Sequence, residues 1–214
     1  MENIKLVIFD LDGTLIDAYA AISNSFNYVM RRLGLKTQSR SLIRSLVGWG
    51  DKDLLKPYVS KANLEQALNL YRNHHKISLL RQTRLYPYAR GLLRQLKAKG
   101  YKLAVASNRP SKFSHILIKH LEIGDFFDYV LCADQSGHAK PHPEMLNKIV
   151  KRFGFKKSQA LYVGDMVIDA QAGRRAKINT VIVTSGSSSK LKIKREQPFR
   201  IISAISRLPE VLEH

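Results

Sequence analysis

Apolar positions along the chain switch between two periods. Lys5 to Phe9 is a run of β-formers with Leu6, Val7, Ile8 and Phe9 consecutive, which predicts a strand buried on both faces of a parallel sheet. After Leu15 the apolar residues Ala18, Ala21, Ile22, Phe26, Val29, Met30 and Leu33 share one helical face, with Asp17 placed to cap it and Gly34 to end it. Leu42, Ile43, Leu46 and Val47, then Leu54, Leu55, Tyr58 and Val59, predict two shorter amphipathic helices. Asn63 and Gln66 have the spacing of a capping box ahead of Leu64, Ala67, Leu68 and Tyr71, a fourth helix running toward Leu80. No strand-like run interrupts residues 17–84.

From Tyr86-Pro87 onward strands and helices alternate. Helices are expected around Leu92, Leu93 and Leu96, after Pro110, after Pro143 as far as Gly154, and over residues 167–176. Strands are expected at 103–106, 129–132, 160–163 and 180–183. A flexible loop at 185–189, a last edge strand at 199–202 and a helix around Leu208 complete the pattern. The alternation predicts an α/β fold, a Rossmann-like parallel sheet core with helices on both faces. Residues 1–16 and 85–211 then form that core, and residues 17–84 an inserted α-helical domain.

Composition narrows the class. A hydrophobic content of 44% over 214 residues is ample for a packed core and excludes a collagenous or disordered chain. The only cysteine is Cys132, so no intramolecular disulfide can form, which fits a reducing cytoplasm. Acids at Asp10 and Asp12 break any N-terminal apolar run, and no segment is long enough to span a bilayer. The closing Leu212-Glu213-His214 resembles the stub of an expression tag and is given no role. Thirty-six Lys and Arg against 17 acids leave a formal charge of +19, which favours polyanions. Yet the basic residues, from Arg31 and Arg32 to the run at 190–195, are scattered. A generally basic surface without a specific nucleic-acid face is the expectation, in a monomer or weak dimer.

The candidate chemistry sits at strand ends. Asp10 and Asp12 follow the first strand, and residues i and i+2 of an extended segment share a face, so both can reach the crevice where open α/β sheets bind ligands. Gly13 lets the backbone turn tightly and approach a ligand closely. Two nearby acids repel unless a cation or a shared proton relieves them, and Mg²⁺ with oxygen ligands is the simplest relief. The pattern recurs where the strand at 160–163 leads through Gly164 to Asp165, with Asp169 four residues later in a first helical turn. Ser107 and Asn108 end another strand ahead of a helix N-terminus, a place suited to phosphate. His74 and His75 have no acid or cysteine at ligand spacing and are expected on a solvated helix face.

Asp10-Leu11-Asp12-Gly13-Thr14 resembles the first signature, D-x-D-G-T, of the haloacid dehalogenase-like hydrolases, and Gly164-Asp165 with Asp169 resembles their fourth, G-D-x-x-x-D. Ser107 and Lys140 stand in order between them, where the second and third signatures belong. The resemblance implies a phosphatase acting through an aspartyl-phosphate, with Asp10 as nucleophile, Asp12 as general acid and base, and Lys140 neutralising nucleophile and phosphate. It implies phosphate contacts from Thr14, Ser107, Asn108 and Lys140. It implies Mg²⁺ held by Asp10, Asp12 (through a backbone carbonyl beside it), Asp165 and, directly or through water, Asp169. The helical insertion matches family members with a small cap. Its turn Gly48-Trp49-Gly50-Asp51-Lys52 resembles the cap loop of phosphoglycolate phosphatases, so Gly48, Trp49, Gly50 and Lys52 are candidate substrate selectors, though Trp49 could instead pack between cap helices. A small phosphorylated metabolite is the implied substrate. A sugar-phosphate mutase or pyrophosphatase on the same core, and a non-catalytic nucleic-acid-associated protein, are the competing readings.

Overall fold

The computed structural model describes residues 4–213. β1 (Leu6–Phe9) runs through a tight turn into β2 (Ile16–Asp17). Four helices follow, α1 (Tyr19–Arg32), α2 (Arg40–Leu46), α3 (Asp51–Leu55) and α4 (Leu64–Gln82), before β3 (Arg84–Leu85). The chain continues through α5 (Ala89–Ala98), β4 (Lys102–Ser107), α6 (Ser111–His120), β5 (Tyr129–Cys132), α7 (Ala133–Ser136) and α8 (Glu144–Phe153). It ends with β6 (Ala160–Gly164), α9 (Val167–Ala176), β7 (Asn179–Val183), α10 (Lys190–Arg195), β8 (Arg200–Ile202) and α11 (Leu208–Leu212).

Six strands form one sheet in the order β5-β4-β1-β6-β7-β8, with every pairing parallel. β1 lies inside the sheet because it has apolar side chains to bury on both faces. Val7 and Phe9 pack with Leu92, Leu93 and Leu96 of α5 and Phe113 of α6, while Leu6 and Ile8 pack with Met145, Leu146 and Ile149 of α8 and Ala172 of α9. Each such side chain, fully removed from water, contributes about 1.5–3 kcal/mol. The strand order reverses around β1, since the chain builds outward through β4 and β5 and then returns to β6 on the other flank. The carboxyl ends of β1, β4 and β6 therefore meet at the switch point of the sheet, where a crevice opens.

The insert is helical, but it is tied to the sheet by a feature the pattern does not reveal. Asp17 and Arg84, at its two borders, pair as the antiparallel ribbon β2·β3. Asp17 still accepts from the Tyr19 N–H at 3.1 Å, so it serves the start of α1 from a strand position and Ala18 is the residue that precedes the helix. Asn63 does not form the expected capping box. It is itself near-helical, and its N–H donates to the Ser60 carbonyl and hydroxyl in the turn leading into α4. The loop at 185–189 is pinned rather than loose. Ser185 Oγ donates to the Gly13 carbonyl at 2.6 Å, Arg44 donates to the Ser185 carbonyl at 2.7 Å, and Ser188 Oγ accepts from the Val167 N–H. At the C-terminus Leu212 ends α11 and Glu213 pairs with Lys99, so both belong to the fold, while His214 lies outside the described residues. No helix among the described residues is long and apolar enough to cross a membrane.

Candidate active site

Asp10 follows β1 directly, and its N–H donates to the Val163 carbonyl of β6, which fixes the backbone at the crevice. Lys140 reaches it from the segment between α7 and α8. Its ammonium lies 2.9 Å from Asp10 Oδ1 and 2.8 Å from Asp169 Oδ1, and it donates to the Tyr162 hydroxyl at 3.0 Å. All three of its protons are thereby engaged, and the side chain is almost wholly buried. The Tyr162 hydroxyl in turn donates to Asp169 Oδ1 at 2.6 Å. Asp169 Oδ2 accepts from the N–H groups of Asp165 and Met166, so both of its oxygens are occupied and it braces the site.

Asp165 is the unsatisfied member. Thr14 Oγ1 donates to its Oδ1 at 3.0 Å, but Oδ2 is buried with no hydrogen-bond partner. Gly13 and Gly186 leave the room it occupies. A Cβ on Gly13, whose φ is +84°, would sit 2.3 Å from that oxygen, and one on Gly186 would sit 1.9 Å from it. Asp10, Asp165 and Asp169 bring ligand oxygens within 4.8 Å of one another. Three carboxylates thus face one ammonium, a buried deficit of two positive charges. Burial, with the charges of Asp169 and Asp12 added, pushes the Asp10 carboxyl up to about 7 against the pull of Lys140. Burial and the neighbouring Asp169 and Asp10 push Asp165 well above the usual carboxylate range. Burial opposes charge on Lys140, yet Asp10 and Asp169 together hold it above the usual lysine range. An orphaned oxygen, an all-oxygen donor set and a deficit of two charges fit a hard divalent cation.

Asp12 is turned elsewhere. Its two oxygens accept from Arg109 Nε at 2.8 Å and Nη2 at 2.5 Å, a bidentate pair with little exposure on either side. Its carboxylate is therefore outside the acidic cluster. The remaining Arg109 contact runs to the insert, where Nη1 lies 2.9 Å from His75 Nε2. Arginine can only donate, so Nε2 accepts and the ring proton is on Nδ1, directed at Ser25 Oγ 3.1 Å away. Burial and the Arg109 charge hold His75 well below the ordinary imidazole range, so the ring is neutral. The expectation of a solvated His75 is thus wrong. The stripe Leu68, Tyr71, His75 and Leu79 puts it on the inward face of α4, between the rings of Tyr71 and Phe113.

These groups surround a cavity of about 60 Å³ between the insert and the sheet. Asp10, Asp12, Ser107, Asn108 and Lys140 line it, as do Gly48 and Gly50. Ser107 Oγ accepts from the Arg109 N–H, which leaves its own proton to donate into the cavity. Asn108 is fully committed as a clamp. Its amide donates to the Gly48 and Lys140 carbonyls and its oxygen accepts from the Lys140 N–H. Thr14, expected at the phosphate, is instead buried beneath Asp165, because the self-bonded turn through Leu11 directs it inward. Trp49 and Lys52 lie at the surface and do not line the cavity. Gly48 and Gly50, at φ +120° and +97°, carry the loop backbone against the core and leave Trp49 facing out. The start of α6 is not a free anion site either, since the Ser111 N–H is taken by Asp134.

The sequence pattern missed Arg109, His75 and Tyr162. Only the helical stripe of α4 carried a signal, for His75.

Residues 7–183 match the family model described as haloacid dehalogenase-like hydrolase. The chain is 30% identical over 210 residues to a phosphoglycolate phosphatase of Aquifex aeolicus, covering 98% of this chain and 97% of that one. It is 32% identical over 191 residues to a phosphoglycolate phosphatase of Nitrosospira multiformis, covering 86% and 84%. Among solved structures, a predicted phosphoglycolate phosphatase from Haemophilus somnus superimposes with a TM-score of 0.93 at 26% identity, over 99% of each chain. A haloacid dehalogenase-like family hydrolase from Streptococcus pneumoniae gives 0.90 at 25%, again over 99% of each. The matched stretch runs from the first strand of the sheet through β7 and contains every charged group of the crevice, and the chain belongs to the haloacid dehalogenase-like hydrolases.

Proposed function

We propose that this hydrolase is a Mg²⁺-dependent phosphatase of a small phosphate monoester, of the phosphoglycolate kind, working through an aspartyl-phosphate on Asp10. The observation that carries the reading is that Asp10, Asp12, Ser107 and Lys140 line one small cavity beside an acidic cluster short of two positive charges. The relatives' names support the substrate class. A sugar-phosphate mutase must hold a hexose ring with a phosphate position at each end, and a cavity of about 60 Å³ favours something smaller.

Phosphoryl transfer asks mainly for positioning and charge stabilisation. An Asp10 oxygen bonds to phosphorus as the ester P–O bond breaks, and the leaving oxygen takes its proton from Asp12. Water then gives a proton to Asp12 and its oxygen to phosphorus, which breaks the aspartyl-phosphate bond and frees Asp10. The Ser107 hydroxyl and the Lys140 proton that meets Asp10 before the reaction hold the equatorial oxygens, while Tyr162 and Asp169 keep Lys140 in place. Residues 17–84 act as a cap that excludes water. Asp10, Asp165, a backbone carbonyl beside Asp12 and, as support, Asp169 would hold Mg²⁺, which supplies positive charge to the phosphoryl oxygens and the nucleophile.

The test is phosphate release from phosphoglycolate and p-nitrophenyl phosphate with Mg²⁺, before and after EDTA. Turnover lost to chelation and restored by Mg²⁺ is expected. Activity that survives exhaustive chelation, or no release from any small ester, overturns the reading.

The buried carboxylates also predict how the ion and pH act together. Asp10 and Asp165 have folded-state pKa values raised above their unfolded ones, so the metal-free fold keeps protons that the unfolded chain has released. Its stability falls as pH rises from the ordinary carboxylate range through about 7, the Asp10 value, and a cation offsets that loss. At a Mg²⁺ concentration a hundredfold above Kd the gain is about 2.7 kcal/mol, or roughly 5–10 °C in Tm for a chain of this size. Scanning calorimetry should show that shift at pH 8 and little at pH 5; equal shifts at both would refute it.

A further inference from the structure

We propose that Arg109 is the binding group for a carboxylate on the leaving side of the substrate, and that Asp12 occupies this receptor until the substrate arrives. The inference rests on the phosphatase reading and adds to it the part of the substrate that no catalytic group explains.

Only two cations, Lys140 and Arg109, are among the residues lining the cavity. Lys140 is saturated by Asp10, Asp169 and Tyr162 at the bottom of the site. Arg109 is also buried but holds a different kind of partner. The fork of its guanidinium is already closed on a carboxylate, that of Asp12, with both oxygens engaged. That pairing shows which ligand geometry the fork is set to take.

Its remaining contact fixes the fork without neutralising it. Neutral His75, wedged between Tyr71 and Phe113, accepts from Nη1 and adds no charge. The receptor therefore takes its fork from the core and its brace from the insert. A substrate carboxylate that takes the fork replaces Asp12 as the counter-ion of Arg109, and the freed Asp12 takes up from solvent the proton that it then delivers to the leaving oxygen, so no buried charge is left alone. The exchange also releases both oxygens of Asp12, which in the pair only accept hydrogen bonds, to face the leaving oxygen. An ester without the second anion must break the pair and put nothing in its place.

Geometry limits the reach of such a substrate. Asp12 lies two residues beyond the nucleophile on the same stretch of chain, and the cavity measures about 60 Å³. The carboxylate must then follow the ester oxygen within one or two carbons.

The matched probes are phosphoglycolate and ethyl phosphate, which share a two-carbon leaving group and differ by the carboxylate alone. Wild-type kcat/KM should favour phosphoglycolate roughly a hundredfold, in line with the loss when one partner of a buried charge pair is removed. Arg109→Gln should bring the ratio to within about tenfold of unity, whatever happens to the absolute rates. Arg109→Lys keeps the charge, loses the fork, and should fall between; it carries the test if the Gln variant does not fold. The ratio is the decisive readout, because a purely structural role would lower both rates together. A wild-type enzyme that treats the two esters alike, or variants that keep the wild-type ratio, overturn the Arg109 assignment and leave the phosphatase reading intact. Failure of the wild type to hydrolyse either ester overturns the phosphatase reading itself.

Discussion

Asp10→Asn is expected to lower turnover by about 10⁴-fold or more, the scale seen when a nucleophile that works as part of a unit is removed. The fold should survive. In the metal-free protein the Asp10 carboxyl is pushed up to about 7 by burial and neighbouring acids, so at pH 8 its charge is a cost to the folded state. The neutral amide removes that cost and leaves Lys140 paired with Asp169 and Tyr162. In EDTA at pH 8 the variant should melt no lower than the wild type, and Mg²⁺ should raise its Tm by less. Beryllofluoride, which mimics a phosphoryl group on a carboxylate, should bind the wild type and not the variant. Turnover within tenfold of wild type would remove Asp10 from the chemistry.

Lys140→Met should be the most damaging change to stability and nearly as damaging to rate. Its ammonium joins Asp10 to Asp169, so the substitution strands buried acids and takes a donor from the Tyr162 oxygen. Breaking a buried pair typically costs about 3–5 kcal/mol, and losing a donor to the reacting oxygens costs about 10²–10³ in kcat. The sign with pH follows from both partners. Lys140 is held above the usual lysine range, so its contribution is present throughout neutral pH and is lost only far above it. The stranded acids protonate as pH falls, so the deficit should be largest near pH 8 and smaller at pH 5. Urea denaturation at the two pH values measures this; a loss under 1 kcal/mol at pH 8, or a near-normal kcat, would contradict it. By contrast, neutralising the exposed Lys190, Lys192 and Lys194 of α10 should alter kcat/KM modestly and only at low salt, since the Debye length at physiological strength is about 8 Å.

The sheet was readable because strands buried on both faces appear as unbroken apolar runs. β1, β6 and β7 differ from the expected bounds by one residue each, and β5 begins and ends where the pattern predicts. The same holds for α9, whose start is set by the glycine and acid before it. The ribbon β2·β3 was not readable, since two residues are too few to show a period and their pairing joins positions far apart in the chain. Within the site, residues whose position follows from a strand end, Asp10, Ser107 and Asp165, reach the crevice as expected. Residues whose role depends on what meets them from elsewhere did not announce themselves. Arg109 is one of 36 basic residues until Asp12 and His75 close on it, and Thr14 turns away from the cavity because of a local turn. Trp49 stood out by type, yet its neighbouring glycines carry it to the surface.

The inner place of β1 in the sheet has a bearing on how the chain is made. Its partners begin at Lys102 and Ala160, so β1 leaves the ribosome long before either exists. At roughly 5–20 residues per second it waits about 5–20 s for β4 and longer for β6. Four consecutive apolar residues with both edges open form a sticky segment over that interval. The helices α1 and α4, which pack against one another from close positions in the sequence, are complete well before β4 emerges. Local helical contacts form fast, so the insert is the first part of a nascent chain able to shelter that strand. Truncation before Ala160 leaves β1 with one edge open, and such fragments should be recovered as aggregates.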